Sequence, residues 1–152
     1  MEPTQHNIGI NLDTLWVAKP TQAKCFKAMR EAPDLGMVAY VGSLGSGKTW
    51  SACRTIIGLS LSYPGIKTLI GRYHGTDLRD TTEAEFFKLI GQLEEHIRVQ
   101  MGDQGKTFHG IGVWKAADRD FEWNNGSLTH FRPLKEAEEK YKSLEIACFG
   151  ID

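Results

Sequence analysis

The feature that most constrains this chain is an eight-residue stretch, residues 42–49, that reads G-x-x-x-x-G-K-T. Glycines let the backbone approach an anion closely, in conformations that a side chain would block. Successive backbone N–H groups then point inward, and a following helix directs its positive end at the same anion. This spacing predicts a phosphate-binding loop made of Gly42, Ser43, Leu44, Gly45, Ser46, Gly47, Lys48 and Thr49.

The types of the last two residues in the motif sharpen the prediction. We expect the Lys48 ammonium to neutralise the β- and γ-phosphates of a nucleotide, and the Thr49 hydroxyl to bind Mg²⁺. An apolar run of strand length, residues 37–41, precedes the loop, and a helical pattern follows over residues 49–61. Strand, loop and helix in this order predict an α/β fold: a P-loop NTPase with a three-layer αβα sandwich, a mainly parallel sheet and an antiparallel edge hairpin.

Length and composition narrow the other possibilities. The chain has 152 residues, which suggests one domain, and its net charge of −1 provides no global basic field. Its three cysteines are odd in number and scattered, which predicts a reducing compartment without a disulfide framework or zinc site. The sequence shows neither an apolar run of membrane-spanning length nor the layout of a signal peptide. We therefore expect a cytoplasmic protein with no membrane partner.

The order of elements follows from local patterns. Residues 1–19 are predicted to be an N-terminal arm that lies across the sheet, anchors to a partner or is partly ordered, and residues 20–152 form the P-loop domain. A short helix is expected over residues 20–30 and a buried parallel strand over residues 68–72. After a polar loop over residues 73–81, Thr82 and Glu85 form a capping-box pattern that predicts the start of a long amphipathic helix.

The second half of the chain predicts an edge hairpin or meander. Short strands are expected over residues 113–115 and 120–123, and the turn signal Asn-Asn-Gly at residues 124–126 leads into a returning strand over residues 127–131. Pro133 ends that strand. Residues 135–142 are charge-rich, and we interpret them as a solvated helix or loop.

The last residues form an apolar strand that ends in a carboxylate, residues 146–152. This is typical of a Walker B strand, so we expect Asp152 to help hold Mg²⁺ near the loop; the alternative is an aspartate that caps a turn. Many P-loop ATPases place a glutamate directly after this aspartate to activate water. Because the sequence ends at Asp152, we expect this chain to be a fragment of a longer ATPase.

Several segments together resemble the N-terminal ATPase domain of the terminase large subunit of tailed bacteriophages, the DNA-packaging motor. Residues 20–22 resemble its adenine-recognition Q element, and residues 69–72 with 77–81 resemble its strand, arginine and S-L-R-D-S segment. Residues 123–134 resemble its N-G-S-x-I-x-F-x-x-L hairpin. Residues 142–145 with 149–152 resemble its K-S-x-E lead into Walker B.

This resemblance implies ATP and Mg²⁺ as cofactors and double-stranded viral DNA as a partner. It also implies a homo-oligomeric ring on a portal, with a small terminase subunit, in the host cytoplasm. Gln22 would read the adenine edge, the alternative being a solvated glutamine at a helix start. Arg72, at the end of a strand, would sense phosphate or contact a neighbouring subunit, unless it pairs with Asp77 or Asp80. Lys48, Asp152 and Arg72 are the expected catalytic residues.

The chain departs from the family at Leu44, where the family often has an arginine. The resemblance therefore does not identify which side chain provides the positive charge that stabilises the γ-phosphate. Arg79 is expected to order its loop. Candidates for a cation supplied to a neighbouring subunit are Arg132, Lys140 and Lys142. Two other functions fit the same residues: a helicase-like DNA-dependent ATPase, and a nucleotide-binding assembly module that no longer hydrolyses ATP.

Overall fold

The computed structural model describes residues 10–31, 38–39, 45–136, 146 and 148–151. Helix α1 spans Leu12–Leu15, α2 spans Pro20–Glu31 and α3 spans Lys48–Ser62. A short helix α4, Gly75–Asp77, continues through a π-helical turn, Leu78–Glu83, into α5, Ala84–Met101. The predicted helices after Pro20 and after the glycine-rich loop are confirmed.

Five described strands form one sheet: β1 (Lys67–Arg72), β2 (Gly112–Lys115), β3 (Asp120–Trp123), β4 (Leu128–Pro133) and β5 (Cys148–Ile151). Their order is β2-β3-β4-β1-β5, with β1 parallel to both β4 and β5. The pairs β2–β3 and β3–β4 are antiparallel, which confirms the predicted meander at the edge. The chain is an α/β protein whose described sheet is mixed, since parallel and antiparallel pairings are equally frequent, rather than mainly parallel.

Helices α3 and α5 cover the same face of this sheet. Thr129 and Phe131, two residues apart on β4, point to one face; the first bonds Ser60 of α3 at 3.3 Å, and the second stacks edge-to-face on Phe86 of α5. The described residues therefore show one helical layer, and the second layer of the predicted sandwich is not among them. Of the predicted strand before the loop, only Val38 and Ala39 are described, and neither lies in a strand.

The core lies between that helical layer and the sheet, and aromatic rings dominate it. The fully buried Phe86 ring contacts Phe121, Trp123 and Phe131 edge-to-face, with centroids 5.0 to 6.1 Å apart. The predicted core positions of the long helix are confirmed, since it buries Phe86, Leu89, Ile90, Leu93 and Ile97 and half-buries Phe87. These contacts fix α5 across the meander.

The predicted start of the long helix at Thr82 is wrong. The polar segment before it is helical from Gly75, and Thr82 is fully buried within the π-helical turn instead of capping a helix. The cause is a tertiary contact. Leu78 is completely buried in the core, and its burial stabilises the helical conformation of the polar segment. A capping-box pattern reflects only hydrogen bonds between neighbouring residues, so it does not predict the burial of Leu78.

The described part of the predicted arm lies on the helices and not across the sheet. Trp16 is buried in the core, and its Nε1 donates to Gln92 Oε1 of α5 at 3.0 Å. Leu12 lies against Gly58 of α3, and Ile10 and Leu15 also pack on the core. Residues 10–16 are thus continuous with the packing of α3 and α5.

Candidate functional site

The end of the glycine-rich loop has the backbone that its glycines permit. Gly45 and Gly47 have φ angles of 78° and 84°, in the left-handed region that side chains disfavour. Gly47 is the N-cap of α3, which begins at Lys48. The loop therefore turns directly into a helix N-terminus, as the motif predicts. Three predicted loop residues lie outside the described part of the chain: Gly42, Ser43 and Leu44.

The direction of α3 shows where this N-terminus lies. At the other end of the helix, the Ser60 carbonyl accepts hydrogen bonds from Asn125 Nδ2 at 2.7 Å and from Ser127 Oγ at 3.0 Å. Those residues directly precede β4, so α3 ends where the parallel strands begin. A helix of this length extends about 22 Å, and α3 lies along β1, β4 and β5. Its first turn therefore points to the edge where those strands end, the usual ligand edge of α/β sheets.

The first turn of α3 is electrostatically arranged for an anion. Gly47 provides no side-chain cap, and the turn contains no acidic residue. Lys48 adds a positive charge there, and its Nζ lies over the loop, 3.3 Å from Ser46 Oγ. Since a cation is unfavourable at the positive end of a helix dipole, this arrangement favours the binding of a negatively charged group. Thr49, in the same turn, is half-buried.

Gln22 lies against the loop, buried with 3% of its surface exposed. Its Oε1 accepts from the Lys19 backbone N–H at 2.7 Å, and its Nε2 donates to the Gly47 carbonyl at 3.3 Å. The alternative of a solvated glutamine at a helix start is therefore wrong. The structure brings Gln22 and the P-loop together, as the predicted site requires.

Arg72 stands at the C-terminal end of β1, as predicted. Its guanidinium donates to the hydroxyls of Thr81 and Thr82, in the π-helical turn. Asp80 pairs with Arg79 at 2.9 Å, and this carboxylate raises the pKa of the Arg79 guanidinium. Arg79 thus makes its contact within one exposed turn, and Arg72 reaches the buried side of the same segment.

The strand ends bring further predicted site segments to the same edge. In register, Arg72 faces Pro133 of β4, and Gly71 faces Ile151 of β5. The backbone of β5 thus ends beside Arg72, at the edge toward which α3 points its N-terminus. Asp152 lies outside the described residues, as do Lys140 and Lys142.

Arg132 is a predicted donor to a neighbouring subunit. Its described contacts are all within its own chain. Its Nη2 lies 2.7 Å from Asp120 Oδ1 and 3.1 Å from His130 Nδ1. Its Nη1 donates to the carbonyls of Asp118, Arg119 and Phe131. A guanidinium bound by so many groups in a largely buried position is poorly suited to reach another subunit.

A cleft of about 420 Å³ opens beside the loop. Its walls combine apolar, amide and lysine side chains, and it is largely open to solvent. The lining residues are Leu15, Trp16, Val17, Lys19, Gln22, Gly47, Trp50 and Gln92. The cleft thus includes Gly47 of the predicted phosphate loop and Gln22, the predicted adenine contact.

The contacts that hold α1 and α2 on α3 were not predicted from the sequence. Arg54, on the buried side of α3, has its guanidinium 4.3 Å from the Phe26 ring, and it pairs with Asp13. Its Nε has no hydrogen-bond partner within the described structure. A lone arginine in an apolar helical pattern was the available signal, but its partners are 28 and 41 residues away in sequence.

Comparisons with family models, with curated proteins and with solved structures found no match to this chain. Within residues 10–31, 45–136 and the other described positions, no helix has the length and apolar character needed to cross a bilayer. In the same residues, His, Cys, Asp and Glu side chains form no group of three that would hold a metal ion.

Proposed function

We propose that residues 42–49 bind the phosphates of ATP and that ATP hydrolysis with Mg²⁺ drives the translocation of viral DNA during packaging. The observation that carries nucleotide binding is the start of α3. Left-handed glycines lead into a helix that has a lysine but neither an acidic residue nor a side-chain cap in its first turn. An anion completes that arrangement, and the G-x-x-x-x-G-K-T spacing selects a polyphosphate.

Each residue in this proposal has a role set by its charge and position. Lys48 neutralises the β- and γ-phosphates, and the backbone N–H groups of the loop hold their oxygens. Thr49 fits a Mg²⁺ ligand because it lies in the first turn of α3, and Asp152 is the proposed carboxylate partner. The metal, when bound, offsets the charge that develops on the phosphates. Arg72, at the adjoining strand end, senses the γ-phosphate.

The step from nucleotide binding to DNA packaging is supported by the order of the motifs. The Q-like element, loop, strand with arginine, hairpin and final apolar strand follow one another as they do in terminase large subunits. The proposed partners are double-stranded viral DNA, a portal, a small terminase subunit and further copies of the chain in a ring. In such an assembly, each cycle of ATP binding, hydrolysis and phosphate release would move the DNA.

The experiment measures Mg-ATP affinity and turnover for the wild type and for Lys48→Ala. Loss of the ammonium should reduce ATP affinity at least about ten-fold, because charge-assisted contacts to phosphate contribute about 1.5–3 kcal/mol. Lys67→Ala is the matched control, since Lys67 is exposed at the start of β1, at the opposite edge of the sheet. It should leave affinity unchanged.

The other functions are separated by turnover. Binding of ATP without hydrolysis, in the presence of Mg²⁺ and double-stranded DNA, would favour the nucleotide-binding assembly module. DNA-stimulated turnover with strand separation would favour the helicase-like ATPase. If the wild-type chain does not bind ATP, or if Lys48→Ala binds it equally well, the proposed site is wrong.

A further inference from the structure

We infer that Gln22 is a positioning residue, which holds the Gly47–Lys48 peptide group in the orientation that binds phosphate. It does not read the nucleotide base. This inference rests on the function proposed above and concerns the same site. It replaces the adenine-reading role that the resemblance implies for Gln22. The basis is where the two ends of the Gln22 amide are bound.

Both polar ends of the Gln22 side chain are engaged inside the chain. The oxygen accepts from the Lys19 N–H at 2.7 Å, ahead of α2, and the nitrogen donates to the Gly47 carbonyl at 3.3 Å. To read a base edge, an amide must direct a donor and an acceptor at it together. The amide keeps a second N–H and a second lone pair, but the side chain is only 3% exposed, so we interpret Gln22 as a brace between α2 and the loop.

The brace meets the loop at a position where the backbone favours glycine. The backbone at residue 47 has a left-handed φ of 84°, and a Cβ added there would also displace the end of the Gln22 side chain. The Gly47 carbonyl also accepts from the Ser51 N–H at 3.0 Å and the Ser51 hydroxyl at 2.9 Å. This one carbonyl is therefore fixed by α2 on one side and by α3 on the other.

Fixing that carbonyl also fixes a phosphate ligand. The peptide group is planar and trans, so the Gly47 carbonyl and the Lys48 N–H point in opposite directions from one rigid unit. Gln22 holds the carbonyl and thereby sets the direction of the Lys48 N–H at the start of α3. Because this N–H would contact phosphate and not the base, the effect of Gln22 should be the same for every nucleotide.

The test compares three ligands: ATP, GTP and inorganic tripolyphosphate, which has no base. Gln22→Glu keeps the size of the side chain and an oxygen for the Lys19 N–H, but sets a second oxygen against the Gly47 carbonyl. Loss of this donor, with repulsion between the two oxygens, should turn the Gly47 peptide group and weaken binding of all three ligands by about ten-fold, with an unchanged ATP-to-GTP ratio. Gln22→Met, which is uncharged and of similar volume, should show the same uniform loss.

Gln100→Glu is the matched control. Gln100 is exposed near the end of α5, where its side chain contacts His96 at 2.9 Å, so tripolyphosphate affinity should stay at the wild-type value. Thermal unfolding of each variant separates loss of fold from loss of loop geometry. A uniform ligand loss at an unchanged unfolding midpoint supports the brace.

Two results would overturn the inference while leaving the proposed function intact. One is a Gln22 variant that loses ATP but retains GTP and tripolyphosphate, which is the behaviour of a base reader. The other is a pair of Gln22 variants that bind all three ligands as the wild type does. Failure of the wild-type chain to bind any of the three is a different result, since it removes the proposed function and this inference together.

Discussion

Two parts of this molecule are built on different principles. The first part is the edge of the sheet at which the parallel strands end, and it consists of residues 45–49 and Arg72. It depends on backbone conformation and charge over a few residues. The aromatic layer, made of Phe86, Phe121, Trp123 and Phe131, depends on rings brought together from three distant segments. The first arrangement suits ligand binding, and the second holds the sheet to its helices.

Because of this difference, we expect substitutions in the two regions to affect different properties, ligand binding in one and stability in the other. The edge has few apolar contacts to lose, so changes there should alter ligand binding more than the free energy of unfolding. The aromatic layer has large buried rings, so changes there should alter the free energy of unfolding most. Substitutions in the two regions can therefore support or break the comparison.

The largest effect is expected from Phe86→Ala. Phe86 is completely buried and contacts rings on β3 and β4, so its loss should reduce the free energy of unfolding by about 3–5 kcal/mol. Urea unfolding followed by circular dichroism measures this change. Val113→Ala is the control, because Val113 is 55% exposed on the edge strand, and it should change stability little. Equal effects from the two variants would contradict the assignment of the core.

A smaller loss is expected from Asp120→Ala on the opposite face of the sheet. Asp120 accepts from Arg132 at 2.7 Å and lies 2.9 Å from His130 Nδ1, and all three side chains are at least 85% buried. Removing the carboxylate leaves a buried guanidinium short of its counter-ion, at a cost of roughly 3 kcal/mol in unfolding free energy. Asp103→Ala removes a fully exposed carboxylate and should be neutral by the same urea measurement. A neutral Asp120→Ala would show that this cluster does not stabilise the meander.

The smallest change in stability is expected from substitutions at three glycines that share a left-handed backbone conformation. Gly45→Ala, Gly47→Ala and Gly126→Ala each force alanine into a left-handed φ, which costs about 1–2 kcal/mol. Only at Gly47 does the added Cβ meet Gln22; at the other two positions nothing lies within 4 Å. Gly47→Ala should therefore also lose nucleotide affinity, whereas Gly126→Ala, in the meander turn, should keep it. Isothermal titration with Mg-ATP measures the difference, and equal affinities for these two variants would argue against a tight fit at the loop.

The parts that local sequence predicted are those that local physics decides. The glycines, the lysine and the helix after them follow from backbone freedom and helix electrostatics within eight residues. The meander follows from an Asn-Gly turn between β-forming segments. Both were predicted at nearly the observed boundaries, with α3 at Lys48–Ser62 and β4 at Leu128–Pro133.

The parts that sequence did not predict depend on contacts between distant residues. The helix at Gly75 forms because Leu78 enters the core, and the Gln22 amide is bound because α2 packs beside Gly47. Arg54 is buried because Phe26 and Asp13 surround it. In each case the local pattern is compatible with a solvated segment, and only the tertiary neighbour decides otherwise.

The most direct test of the anion site follows backbone amide resonances while Mg-ATP is added to isotopically labelled protein. Because these N–H groups would contact the phosphates, we expect large shifts at Gly45, Ser46, Gly47, Lys48 and Thr49. The N–H groups of β2 and β3, in Gly112–Lys115 and Asp120–Trp123, should not move. Shifts confined to the meander, or no shifts in the loop at saturating Mg-ATP, would contradict the claim that this loop and the start of α3 bind a polyphosphate.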